Sequence, residues 1–323
     1  MMRKFNIEDY KNFRLRIFVI GYSDQGESIV TLFMDEHEHV FYTMVVDCYA
    51  KGDMNKTKEL LDRFHVEHID LLCWSHPDKD HSVGVDTLIE NFCNDKSYIL
   101  VPYGIEGRDG DCVKYNEGDK QVIQSIFAHN SRLHKAFKPI SCNEEGLLQV
   151  TSFDLCPLLD DELHIRLYAL SPHAEYIAEA RYNYKEKQQY IHKNNFSISL
   201  CLDIGNSYFF HYCSDIENRT INHIYPDFFE KATFVKIPHH SSKGSANLLD
   251  LLPKDKLISC TTTYKSQGLP DEDVLKQYKV RSSYLHTTGT SDDVNSYGII
   301  EYDFDLFGQH SVDVRLYGNA EVV

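Results

Sequence analysis

The stretch SHPDKDHSVG, residues 75–84, places His76, Asp78, Asp80 and His81 in an H-x-D-x-D-H spacing directly after the apolar run IDLLCW. Neutral imidazole nitrogens and carboxylate oxygens bind divalent metals such as Zn, Mn or Fe, and a tight loop at a strand end can aim them at one point. Taken alone, such a loop is more often a solvated polar turn with Asp78 or Asp80 capping the next helix. Two further stretches shift that balance. Asp215 follows the apolar strand YFFHYC, and HHSSKGS, which begins with His239 and His240, follows the strand TFVKIP. Ligand-type side chains thus recur where strands stop, which is where open α/β sheets place their sites.

The elements that must position these residues are legible in outline. FRLRIFVIGY has strand content, and ESIVTLFMDEHEHVFYTMVVDCY reads as two strands around an acidic turn. A helix over about 55–65, the buried strand IDLLCW and a helix in SVGVDTLIENF put the polar cluster in a strand-to-helix loop. Residues 97–190 parse less readily: YILVPYG and LHIRLYALSP look like strands, 118–135 like a helix, and the tyrosine-rich stretch from Glu175 is helical or mobile. FSISLCLDIGNSYFFHYCSD reads as a β-hairpin turning at IGNS. Helices are expected over 217–230 and 243–252 and in DEDVLKQY, alternating with the strands TFVKIP and KLISCTTTY before a final strand pair ending near Leu316. This order, β-rich, then alternating, then β-rich, fits two sheets with helices outside.

Bulk properties bound the class. The 323 residues are 42% hydrophobic and 25% charged, which is globular usage. No window approaches the roughly 18–20 apolar residues of a membrane span, and MMRKFNIEDY lacks the apolar stretch of a signal peptide, so the expectation is a cytoplasmic chain with no membrane contact. Nine cysteines, with no CxxC pair, suggest neither a disulfide framework nor a cysteine zinc site. The net charge of −16 opposes wrapping nucleic acid over the whole surface but leaves room for a local basic groove.

SHPDKDHSVG resembles the SHPxxDHxGG signature of the metallo-β-lactamase fold in its ComEC-type branch, the hydrolase domain of DNA-uptake proteins and their soluble relatives. GYSDQGESIV is similar to the opening strand with its QGD-S turn, and MVVDCY to the strand that places Asp47 at the site floor. NNFSISLCLDIGNSYFFHYCSD resembles the strand pair that ends in the metal-bridging aspartate, here Asp215, and IPHHSSKGS resembles PHHGSxxS. Several positions depart from the pattern. Asp78 replaces the second histidine of HxHxDH, Ser214 and Ser241 replace glycines, Ser171 stands where some relatives carry a histidine, with His173 as a neighbouring substitute, and Leu269 replaces the histidine of a GHP segment.

The resemblance implies a four-layer αββα sandwich of the metallo-β-lactamase type, one domain over 1–323 with a family-specific insertion at 100–195. It implies one or two divalent ions, Zn or Mn, held by His76, Asp78, Asp80, His81, Asp215, His239 and His240. A metal-activated hydroxide would then hydrolyse phosphodiester bonds in nucleic acid or a nucleotide, with Asp80 as ligand and orienting base. Whichever of His239 and His240 is not a ligand would protonate the leaving group. Lys243, with Ser241 and Ser242 at a helix start, would hold a phosphate. Two other readings stay open: hydrolysis of a different ester or amide, and a degenerate domain serving as a binding or regulatory module. His286, in HTTGTSDD, reads mainly as part of a turn, and His129, His134, His164, His192 and His211 as surface or core histidines.

Overall fold

The computed structural model describes residues 14–35, 37–104, 113, 115, 117–128, 137–142, 148–154, 164–190, 192–293, 295–306 and 311–323. Strands β1 (Arg14–Tyr22), β2 (Ser28–Met34), β3 (Val40–Val46), β4 (Leu71–Cys73), β5 (Tyr98–Pro102) and β6 (Phe137–Ile140) follow one another in the chain, as do β7 (Leu148–Asp154), β8 (His164–Ala169), β9 (Leu200–Ile204), β10 (Tyr208–Tyr212), β11 (Ala232–Lys236), β12 (Leu257–Thr261) and β13 (Ser282–Thr287). The last strands are β14 (Tyr297–Asp305), β15 (Ser311–Gly318) and β16 (Glu321–Val322). They form two eight-stranded sheets, ordered β15-β14-β1-β2-β3-β4-β5-β6 and β16-β13-β12-β11-β10-β9-β8-β7.

Alternation along each strand sorts side chains to the two faces. In β1, Leu15, Ile17 and Val19 enter the core between the sheets, where they join Phe210, Tyr212 and Phe234, while Phe18 and Ile20 face outward. Helices α1 (Lys56–Arg63), α2 (Lys79–Ser82), α3 (Val85–Phe92), α4 (Glu117–Ala128) and α5 (Ala174–Lys187) precede β9. Leu60, Leu61, Val85, Leu88, Ile123, Ile126 and Ile177 from this group cover the first sheet. The short α6 (Asn218–Ile221) and α7 (Asp227–Glu230), the 3-10 segment Lys243–Asp250 and α8 (Glu272–Arg281) supply Ile221, Phe229, Leu248, Val274 and Tyr278 over the second. The result is a four-layer αββα sandwich, the architecture expected from the motifs.

Several elements differ from the sequence reading. The helix expected over 217–230 is two short helices, because Pro226, which lacks an N–H to donate, stands between them. The expected final strand pair is four strands, and β14 returns to pair with β1 over nine residues, from Arg14↔Asp305 to Tyr22↔Tyr297. Arg16, buried on β1, donates to Asp303 at 2.8 Å and so ties that pairing across the sheet. The hard-to-parse stretch supplies β6 to one sheet and β7 to the other. Most of the tyrosine-rich stretch is α5. His129 and His134 lie outside the described residues. Among the described residues no helix is long and apolar enough to cross a membrane, and six of the seven cysteines there are buried thiols.

His211 on β10 is a core histidine, packed at a tilt against Phe229 with ring centroids 4.6 Å apart and bonded through Nε2 to the Phe228 carbonyl. Burial pushes its pKa down to about 3, so the folded chain holds it neutral. A depressed histidine contributes stability that is complete above about pH 6.5 and is lost as pH falls toward the folded value. Between pH 7 and 5 this amounts to about 2 kcal/mol. His211→Phe should therefore show a flatter dependence of urea midpoint on pH than the wild type over that interval; equal slopes would refute the assignment.

Candidate metal centre

The carboxyl ends of parallel strands meet at one end of the sandwich. Asp47 follows β3, Ser75 to His81 follow β4, Asp215 follows β10, and His239 and His240 follow β11. The β3-β4 and β10-β11 pairs are both parallel, so their carboxyl ends point the same way within each sheet. Backbone bonds stitch the ends together: Glu27 N–H donates to the Asp80 carbonyl at 2.9 Å, His239 N–H to Ser214 at 2.9 Å, and Ile198 N–H to Ser75 at 3.0 Å. Five non-glycine residues here hold left-handed backbone, with φ of 59° at Asp47, 46° at Ser214, 48° at His239, 49° at His240 and 61° at Ser241. Such strain is sustained only where surrounding contacts over-determine it, and it gathers at functional sites. It also explains why glycine is the expected residue at 214 and 241. Ser214 compensates through its hydroxyl, which donates to Ser75 Oγ at 2.6 Å.

Each imidazole is oriented by a partner behind it. His81 Nδ1 donates to Asp47 Oδ2 at 2.8 Å, and Asp47 also accepts from Ser75 N–H at 2.6 Å. Ser75 Oγ gives its one proton to Asp47 and so accepts from His76 Nδ1 at 3.0 Å. Thr262 Oγ1 likewise donates to Glu27 at 2.8 Å and accepts from His240 Nδ1 at 2.8 Å. Behind Glu27 stands Lys236, fully buried and ion-paired with it. These bonds fix all three Nδ1 atoms as donors and leave the Nε2 atoms facing the cleft, the arrangement in which an outer hydrogen bond orients a metal ligand's ring.

In front of those atoms the carboxylates converge. His240 Nε2 lies 3.1 Å from Asp80 Oδ2, and His81 Nε2 lies 3.4 Å from Asp215 Oδ1 and 3.6 Å from Asp80 Oδ2. Glu27, His81, Asp215 and His240 each offer one ligand atom, all within 4.8 Å of one another and all buried. His76 Nε2, His81 Nε2, Asp215 Oδ1 and Glu27 Oε1 are buried without a hydrogen-bond partner.

The charge count points the same way. Asp47, Asp80, Asp215 and Glu27 are buried together, and Lys236 is the buried lysine among them. Burial favours the neutral acid, yet His81 and the bond from His240 pull Asp80 down to about 2. Burial alone would lower the His81 pKa, but Asp215, Asp80 and Asp47 hold it well above the usual value. Burial and the nearby His81 push His76 down to about 4, leaving a neutral ligand-type ring. Burial would also lower Lys236, and Glu27 and Asp215 hold it above its ordinary value. Unpaired buried carboxylates are costly, and a divalent cation satisfies both the charge and the orphaned atoms. The residues therefore fit a cation. Glu27 fits best as the anchor behind His240, since ligation by it would set a dication beside the buried ammonium of Lys236.

No family model matches the chain, and no curated protein matches it. Among solved structures it is similar to a diphosphatase from the PhnP family, at 10% identity over 90% of this chain and 98% of that one, with a TM-score of 0.38. It is also similar to the Rm3 metallo-β-lactamase, at 13% identity over 74% and 77%, with a TM-score of 0.31. The assignment of the site rests on its own residues.

The remaining expected site residues are placed as follows. Asp78 caps α2 and its Oδ1 pairs with Lys193 Nζ at 2.7 Å. His239 turns away from the cluster toward Glu217 Oε1, 3.3 Å from its Nδ1, and toward Ser242. Lys243 is largely exposed and paired with Asp271 at 3.2 Å. Ser171 bonds the backbone of Ser197 and Ser199, His173 packs on Tyr176 and His223, and His286 bonds Tyr302 within the core. Leu269 forms a backbone bridge to Tyr264, whose ring stands edge-on to His240 at 5.4 Å. Sequence reasoning missed Glu27, Lys236, Thr262 and Tyr264. The signals were there for two: Glu27 fills the acidic position of the QGD-S turn, and Lys236 is the lone charge in the apolar strand TFVKIP.

Proposed function

We propose that this chain is a metal-dependent hydrolase whose cation is held by Asp80, His81, Asp215 and His240, and whose substrate is a phosphodiester in nucleic acid or a nucleotide. The observation that carries the reading is the buried convergence of orphaned imidazole nitrogens and carboxylate oxygens at the strand ends. The phosphodiester class follows from the likeness of SHPDKDHSVG and IPHHSSKGS to the ComEC-type motifs. A divalent cation supplies Lewis acidity there, making water a usable nucleophile near neutral pH and offsetting phosphoryl charge. Asp47, Ser75 and Thr262 keep the Nε2 atoms aimed inward, and Asp80 and Asp215 supply the opposing negative charge. His239, the histidine of the pair outside the cluster, is the imidazole left to protonate the leaving oxygen, which requires its ring to swing back from Glu217. Tyr264, pushed up to about 12 by burial and by Asp80, Asp78 and Asp215, keeps its hydroxyl proton at neutral pH.

The test is turnover of bis(p-nitrophenyl) phosphate by the metal-stripped chain resupplied with Mn or Zn, set beside a lactone and a thioester. Phosphodiester turnover that requires the added cation is the expected result. Lactone or thioester turnover without phosphodiester turnover would reject the substrate class, and absence of any bound cation would reject the centre.

A further inference from the structure

His76 is a buried histidine beside the four residues proposed to hold the cation. His76 is 0% exposed, its Nδ1 is bonded to Ser75, and its Nε2 has no hydrogen-bond partner. That atom stands 3.9 Å from Asp78 Oδ2 and 3.9 Å from Asp215 Oδ2. Histidine and two carboxylates thus outline a second cation position beside the first, sharing Asp215 with it.

A divalent ion at that position needs the charge of Asp78, and Asp78 is engaged. Lys193 Nζ lies 2.7 Å from Asp78 Oδ1, with the two side chains only 15% and 29% exposed. The lysine is delivered by the 3-10 turn Lys193–Phe196. Asn194 Nδ2, which donates to Glu217 Oε1 at 3.1 Å, anchors that turn on one side, and the 3.0 Å bond from Ile198 N–H to the Ser75 carbonyl anchors it on the other. Ammonium and dication would share one carboxylate, the lysine at Oδ1 and the ion at Oδ2, and like charges that close repel.

We propose that Lys193 closes the second position, so that the centre carries one divalent cation and a fixed ammonium instead of a pair of cations. This rests on the reading that Asp80, His81, Asp215 and His240 hold the first ion. The ammonium keeps the local charge lower than two dications would, and it leaves His76 as a neutral, oriented ring facing Asp215.

The experiment is cation stoichiometry with Mn alone, by elemental analysis and titration calorimetry, on the full chain and on Lys193→Met and Lys193→Gln. Electron paramagnetic resonance gives an independent readout, since isolated and exchange-coupled Mn ions differ in spectrum. The wild type is expected to take one equivalent and show isolated Mn. Either folded variant is expected to take a second equivalent, at least about tenfold tighter than any second binding by the wild type, because a repelling charge is gone. Two equivalents of similar affinity in the wild type, or no gain in a folded variant, would overturn the proposal. If neither variant folds, the wild-type stoichiometry decides. A wild type that binds no cation would overturn the first-site reading as well, which distinguishes the two failures.

Discussion

In Asp80→Ala and His81→Ala, cation-dependent hydrolysis is expected to fall to background while the chain stays folded. Both side chains contribute atoms to the convergent cluster, with Asp80 Oδ2 3.1 Å from His240 Nε2 and His81 Nε2 3.4 Å from Asp215 Oδ1. Removing Asp80 from the metal-free chain also removes one of the crowded buried carboxylates, so folding of that variant has a compensating gain. Thermal unfolding separates loss of the site from loss of the fold. A ligand at a thousandfold excess over its Kd stabilises the native state by about 4 kcal/mol, so Mn or Zn at that excess should raise the wild-type midpoint and leave both variants where they were. Full activity in either variant, or an undiminished cation-induced shift, would remove the proposed centre.

The second large effect concerns folding. Lys236→Met leaves Glu27 fully buried without its counter-charge, and breaking a buried pair in this way costs about 3–5 kcal/mol. Glu27 also accepts from Thr262, which in turn orients His240, so the same variant disturbs the ring that faces Asp80. The double variant Lys236→Met with Glu27→Gln removes both charges and should recover much of that loss, giving a large coupling energy in a double-mutant cycle of urea midpoints. Additive losses in the two single variants would show that the ion pair does not act as a unit.

The ligand types were legible because they sit in short local motifs. His76, Asp80 and His81 occupy one loop and the turn after it, and with ligand-type residues recurring at two further strand ends their spacing pointed to a shared site. His240 and Asp215 were legible for a related reason, since each follows an apolar strand. The sorting within those motifs was not. His239 and His240 are adjacent and chemically identical, yet left-handed backbone at both turns one ring toward Asp80 and the other toward Glu217. Asp78 and Asp80 are two residues apart, yet one caps a helix and meets Lys193 while the other enters the cluster.

The amino-acid order by itself determined the strand and helix alternation, the two-sheet class and the short list of candidate ligand side chains, because hydrophobic period and motif spacing are local properties. Only the tertiary structure decided that β14 closes against β1, that β6 and β7 extend opposite sheets, and that Glu27, Thr262 and Lys236 stand behind His240. Those are contacts between residues far apart in the chain. They are selected by which faces and charges can be buried together, a condition the local pattern does not encode.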